Sequence, residues 1–137
     1  MNEVLLNKKV SIERCVAQIR KYYRKDNGVP FEDDYLKQDA IAMNLQRACE
    51  CVIDMTNHLI RRRKLGLPRD SRESFALIQQ EGLISPEQMK AMQAMIGFRN
   101  ILVHEYQRLD LGIMVDVIEN RLDDLLAFAD EVFQLEG

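Results

Sequence analysis

Ile41, Leu45, Ala48, Val52, Met55 and Leu59 recur at alternating spacings of four and three residues. That spacing places six apolar side chains on one face of an α-helix for about five turns. No other regular element keeps such a set on one side, so the stripe constrains the fold more than any other feature. The same period runs through the rest of the chain. Leu5, Ile12, Cys15, Val16, Ile19, Tyr22 and Tyr23 mark a first helix that ends near Asp26-Asn27-Gly28. The stripe of the second helix stops at Gly66 and Pro68. Asp70 and Glu73 form a capping pair for a short third helix around residues 71–80. Ser85-Pro86-Glu87-Gln88 combines an N-cap serine, a proline at the first helical position and a capping-box glutamine. Ile113, Met114, Val117, Ile118, Leu122, Leu125, Phe128, Ala129 and Val132 predict one last helix running to the C-terminus.

No segment alternates with period two between hairpin turns, so no strands are expected. The expectation is an all-α chain, an up-and-down bundle of four long helices plus one short helix, forming a single domain over residues 1–137. With 47% hydrophobic and 30% charged residues, the composition is that of a globular protein able to bury a core. No apolar run approaches the roughly 20 residues of a membrane span, and residues 1–10 lack a signal-peptide profile. The three cysteines, Cys15, Cys49 and Cys51, show no C-x-x-C spacing. They read as reduced residues of a cytoplasmic protein without a disulfide framework or zinc site.

The net charge of −3 is not that of a nucleic-acid coat protein, but it hides an asymmetry. Residues 1–25 hold seven Lys/Arg against two acids, and residues 109–137 hold eight acids against Arg121 alone. Arg61-Arg62-Arg63-Lys64 is a second basic tract; it is either a solvated helix face or a local RNA contact. Tyr22 and Tyr23, set among four cations, pack on a helix face or stack on bases. Met89, Met92 and Met95 read as core or interface filler. Asp54 and His58, one turn apart with Cys51 nearby, are too few for a metal site without a second segment. Phosphate-binding and nucleophile-elbow glycine motifs are absent, so kinase, dehydrogenase and hydrolase readings have no residues to stand on.

One polar strip interrupts an apolar, methionine-rich stretch: Phe98-Arg99-Asn100-Ile101-Leu102-Val103-His104-Glu105-Tyr106-Gln107-Arg108. It contains one of the two histidines of the chain. On the helix that Ser85 starts, Asn100 and His104 share a face, and Arg99 and His104 are roughly 140° apart. Tyr106, seven residues on, is nearly eclipsed with Arg99 two turns along the same helix. A histidine that titrates near neutrality and an arginine that forks onto phosphate oxygens suit metal-free cleavage of an RNA phosphodiester. Asn100 would donate to a phosphate or orient the imidazole. Glu50 and Asp54 would orient Arg99 if the second helix packs against this one. Two copies meeting across a two-fold axis would bring two such sets to one cleft. The plain alternative is the wet side of an amphipathic helix.

Arg99-Asn100-x3-His104-x-Tyr106 on the penultimate long helix of an all-α chain resembles the HEPN superfamily, and more closely the HepT-type toxins of HEPN/MNT toxin–antitoxin modules. The stretches 47–60, 66–68, 73–85 and 95–110 share the resemblance. It implies a dimeric, metal-independent ribonuclease that needs no cofactor for cleavage. It also implies catalytic Arg99 and His104 supported by Asn100, and a partner nucleotidyltransferase antitoxin that uses ATP and Mg²⁺ to transfer AMP to Tyr106. Two other readings remain open: a non-catalytic helical module for dimerisation or partner binding, and a nucleotide-binding regulator.

Overall fold

The computed structural model describes residues 2–136. Six α-helices and two 3-10 turns follow one another, with no strand among the described residues. Helix α1 spans Glu3–Arg24, α2 Tyr35–Arg63, α3 Ser71–Gln80, α4 Pro86–His104, α5 Leu111–Asn120 and α6 Leu122–Glu136. Single 3-10 turns occupy Phe31–Asp33 and Tyr106–Arg108.

Local chemistry sets most of the boundaries. Asn2, Asp34, Asp70, Ser85 and Asp110 each accept a backbone N–H at the start of a helix, satisfying donors that have no intrahelical acceptor. The Ser85–Gln88 capping box is complete in both directions. Helix α2 stops on Lys64, which takes a left-handed conformation with φ 55° while the Leu65 N–H bonds to the Ile60 carbonyl. Gly28, at φ 77°, closes the turn after α1 with its N–H on the Asp26 carboxylate.

Helix α2 is the central element and packs on α1, α3, α4 and α6. All six residues of its apolar stripe are buried. Cross-links show the directions. Lys8 pairs with Asp54 near one end of α1 while Lys37 reaches the Lys25 carbonyl at the other, so α1 and α2 are antiparallel. Arg20–Asp123 and Lys9–Asp130 order α1 and α6 in the same way. The buried side chains form one continuous cluster, in which Phe75 of α3 meets Phe128 of α6 edge to face at 5.8 Å.

Two boundaries differ from expectation. The last helix is two helices, because the backbone breaks at Arg121. Met114, Ile118, Leu122, Leu125, Ala129 and Val132 nevertheless keep an unbroken helical period across the break and are all buried. The pattern therefore carries no trace of it. The other difference lies in the functional strip: α4 ends at His104, so Tyr106 is not on it. After Glu105 the chain leaves the helix, and Tyr106 and Leu109 pack half-buried against the core. Tertiary packing, and no glycine or proline, ends this helix.

Candidate active site

The C-terminal half of α4 runs antiparallel to the N-terminal half of α2. Three contacts define the alignment: Cys49 with the Met95 carbonyl, Glu50 with Arg99, and Asp39 with Tyr106. The strip from Arg99 to Tyr106 thus lies beside α2, with its reactive groups toward the surface.

Arg99 is the most constrained of them. Its Nη2 donates to Glu50 Oε1 at 3.4 Å and its Nη1 to Asn100 Oδ1 at 3.1 Å. Each Nη carries two N–H groups. One is engaged on each, leaving two charge-assisted donors for a ligand. Nε–H is buried without an acceptor, the one such side-chain atom among the described residues. An orphaned buried donor costs about 1–3 kcal/mol, a cost the fold carries at this guanidinium. Glu50 is itself braced, since the same Oε1 also accepts from Gln46 Nε2 at 3.1 Å.

Asn100 gives its carbonyl oxygen to Arg99, which fixes the amide orientation. Its NH2 group then remains available for a phosphate oxygen. His104 closes α4 and is exposed. No hydrogen bond joins it to Arg99, as the offset around the axis requires. Cys49 lies beneath the strip, and burial pushes its thiol up to about 12, so it stays neutral and unreactive.

Tyr106 sits on the 3-10 turn after α4. Its ring is half-buried and its hydroxyl donates to Asp39 Oδ1 at 2.6 Å. Burial foremost, and then the Asp39 hydrogen bond and charge, raise the hydroxyl well above the usual tyrosine range.

Of the two carboxylates expected to orient Arg99, the structure brings Glu50 to it and not Asp54. Asp54 is one turn further along α2 and pairs with Lys8 at 3.0 Å instead. His58 accepts from Asn2 at 2.9 Å, and no group of three His, Cys, Asp or Glu side chains gathers around a common point among the described residues. Tyr23 donates to Glu119 at 2.7 Å and stacks edge-on to Phe31, so it packs rather than projects. In the basic tract, Arg62 and Arg63 pair with Glu136 at the end of α6. Two residues escaped the reading of the sequence, Asp39 and Gln46. The signal was present: Asp39, Met43, Gln46 and Glu50 repeat at spacings of four, three and four beside the apolar stripe.

A family model described as Ribonuclease HepT-like matches residues 12–132. An mRNA nuclease HepT of Shewanella oneidensis is 41% identical over 132 residues, covering 96% of this chain and 98% of the relative. A tRNA nuclease HepT of Aphanizomenon flos-aquae is 33% identical over 82 residues, 57% of this chain and 56% of that one. Among solved structures, a tri-AMPylated Shewanella oneidensis HEPN toxin in complex with MNT antitoxin superposes with a TM-score of 0.91 at 40% identity, covering 98% of this chain and 99% of that chain.

Proposed function

This chain belongs to the HepT-like ribonuclease family, and on that premise we propose that it cuts RNA through Arg99 and His104 of α4. It is the toxin of a two-component module in the cytoplasm, and the whole chain works as one domain, an up-and-down bundle that presents the strip. The observation that carries the reading is the state of Arg99: a guanidinium locked by Glu50 and Asn100 with two N–H donors left over, five residues before an exposed histidine on the same helix.

The chemistry follows from what each group can do. An imidazole takes the proton of a ribose 2′-hydroxyl as that oxygen attacks the adjacent phosphorus. The charge that builds on the non-bridging oxygens is met by the Arg99 fork and the Asn100 amide. The departing 5′-oxygen needs a proton from an acid on the opposite side, and one imidazole cannot serve both sides at once. A homodimer with α4 near its two-fold axis supplies the second His104. The Shewanella relative acts on mRNA and the Aphanizomenon relative on tRNA, so the substrate proposed here is RNA without a narrower class.

Control falls to a minimal nucleotidyltransferase antitoxin that transfers AMP to Tyr106, supported by the tri-AMPylated state of the relative bound to MNT antitoxin. Tyr106 stands two residues past His104. A bulky phosphodiester anion there competes with an RNA phosphate for the same cations. The test measures cleavage of labelled RNA by the wild type, His104→Ala and Arg99→Ala, with and without EDTA. Each substitution should abolish cleavage while helical content stays unchanged, and EDTA should leave the wild type active. Cleavage that survives His104→Ala, or that needs added Mg²⁺, refutes this mechanism.

A further inference from the structure

Asp39 lies on the exposed side of α2, and among the described residues no Lys or Arg forms an ion pair with it. Its carboxylate accepts from the Tyr106 hydroxyl at 2.6 Å, a length typical of an O–H donating to a carboxylate. The tyrosine ring is packed half-buried against the core, and its hydroxyl is already in contact with a carboxylate.

A tyrosine attacks phosphorus poorly while its hydroxyl is protonated. Burial and Asp39 together keep this one protonated at neutral pH. The phenolate is thus too scarce to be the attacking species, and the proton must leave during the reaction to a base already in place. From this geometry we propose that Asp39 is the general base for AMP transfer to Tyr106. As Tyr106 Oη bonds to the α-phosphorus of ATP, the bond from that phosphorus to the pyrophosphate oxygen breaks. Pyrophosphate leaves with the electron pair, and the Oη proton passes to Asp39 Oδ1. Asp39 then loses the proton to solvent, to which it is exposed. The new phosphodiester and the restored carboxylate are both anions, so the adduct is driven off α2. This inference rests on the reading of Tyr106 as the AMP acceptor.

The experiment uses the full-length protein with its partner nucleotidyltransferase, ATP and Mg²⁺. The initial rate of AMP addition to Tyr106 is followed by peptide mass for the wild type, Asp39→Asn and Asp39→Glu, and RNA cleavage is assayed on the same preparations. Asparagine still accepts the Tyr106 hydrogen bond, so the turn stays tethered while the base is lost. Asp39→Asn should slow AMP addition about 100-fold or more. Its residual rate should climb about tenfold per pH unit between pH 7 and 9, tracking the phenolate fraction, whereas the wild type is nearly flat. Asp39→Glu should recover much of the rate, and RNA cleavage should stay within about threefold in both variants. AMP addition to Asp39→Asn at the wild-type rate overturns the assignment. Parallel loss of modification and cleavage also overturns it, since that marks Asp39 as a structural tether. A wild type that is neutralised with Tyr106 unmodified defeats the AMP-acceptor reading as well, and so is distinct from failure of Asp39 alone.

Discussion

Replacing Arg99 by lysine keeps the charge and removes the fork. The guanidinium spends one N–H of Nη1 on Asn100 and one of Nη2 on Glu50, and offers the other two to a phosphate. An ammonium has three donors on one atom and cannot hold both anchors and grip two phosphate oxygens in the same geometry. Losing one charge-assisted bond in the transition state costs about 1.5–3 kcal/mol. At roughly 1.36 kcal/mol per decade, this predicts a cleavage rate about 10- to 150-fold lower for Arg99→Lys. Stability should fall little. The Arg99–Glu50 pair is partly exposed, at 25% and 43%, so it contributes at most about 1 kcal/mol. Removing the guanidinium also removes the orphaned Nε–H. The thermal midpoint should therefore fall by no more than about 4 °C, and it rises where relief of the orphaned donor outweighs the lost pair. Single-turnover cleavage of a labelled RNA, with a calorimetric melt on the same sample, reads both. Wild-type cleavage by Arg99→Lys refutes the fork; a loss of rate that tracks a fall of many degrees in the melt refutes the local explanation.

Mixing wild-type subunits with an excess of His104→Ala subunits should suppress cleavage to well below the wild-type share of the chains, because a heterodimer holds one imidazole where the composite cleft uses two; activity that simply tracks the wild-type share removes the composite cleft. Ser85→Ala deletes a hydroxyl that accepts from Gln88 N–H at 3.1 Å, so the melt should fall by about 2–6 °C for about 1 kcal/mol of lost capping, with the cleavage rate at room temperature unchanged. His58 is held below its usual range by burial first and then by Arg61 and Arg62, against the opposing pull of Glu136, and its Nε2 accepts from Asn2 only when unprotonated. The unfolded chain thus binds the proton more readily than the folded one, so stability is full above about pH 6.5 and declines as pH falls through the folded value. In a pH series of urea melts, His58→Gln should show a shallower acid decline than the wild type; equal slopes in both proteins contradict the assignment.

The sequence determined what depends on near neighbours in the chain. Helical period, the Ser85 cap and the proline after it are effects of residues within a few positions of each other, and the structure has them, while α2 ends on left-handed Lys64, two residues ahead of the Gly66 stop the sequence suggests. Arg99, Asn100 and His104 belong to the same class, because a helix of known phase fixes their relative placement. Contacts between helices are another matter. Glu50 and Asp54 are four residues apart on one helix, and nothing local distinguishes them. The offset at which α4 lies on α2 puts Glu50 under Arg99 and leaves Asp54 to Lys8. The break at Arg121 escaped because the apolar phase runs through it unchanged. The end of α4 at His104 escaped because burial of Tyr106 and Leu109 outweighs continuing the helix, a gain that exists only once the core is assembled. That departure carries Tyr106 away from the line of Arg99 and sets its hydroxyl on Asp39, 67 residues earlier in the chain. Periodicity along a sequence records which face of a helix is dry; which residue of another helix stands opposite is decided by how the two helices pack.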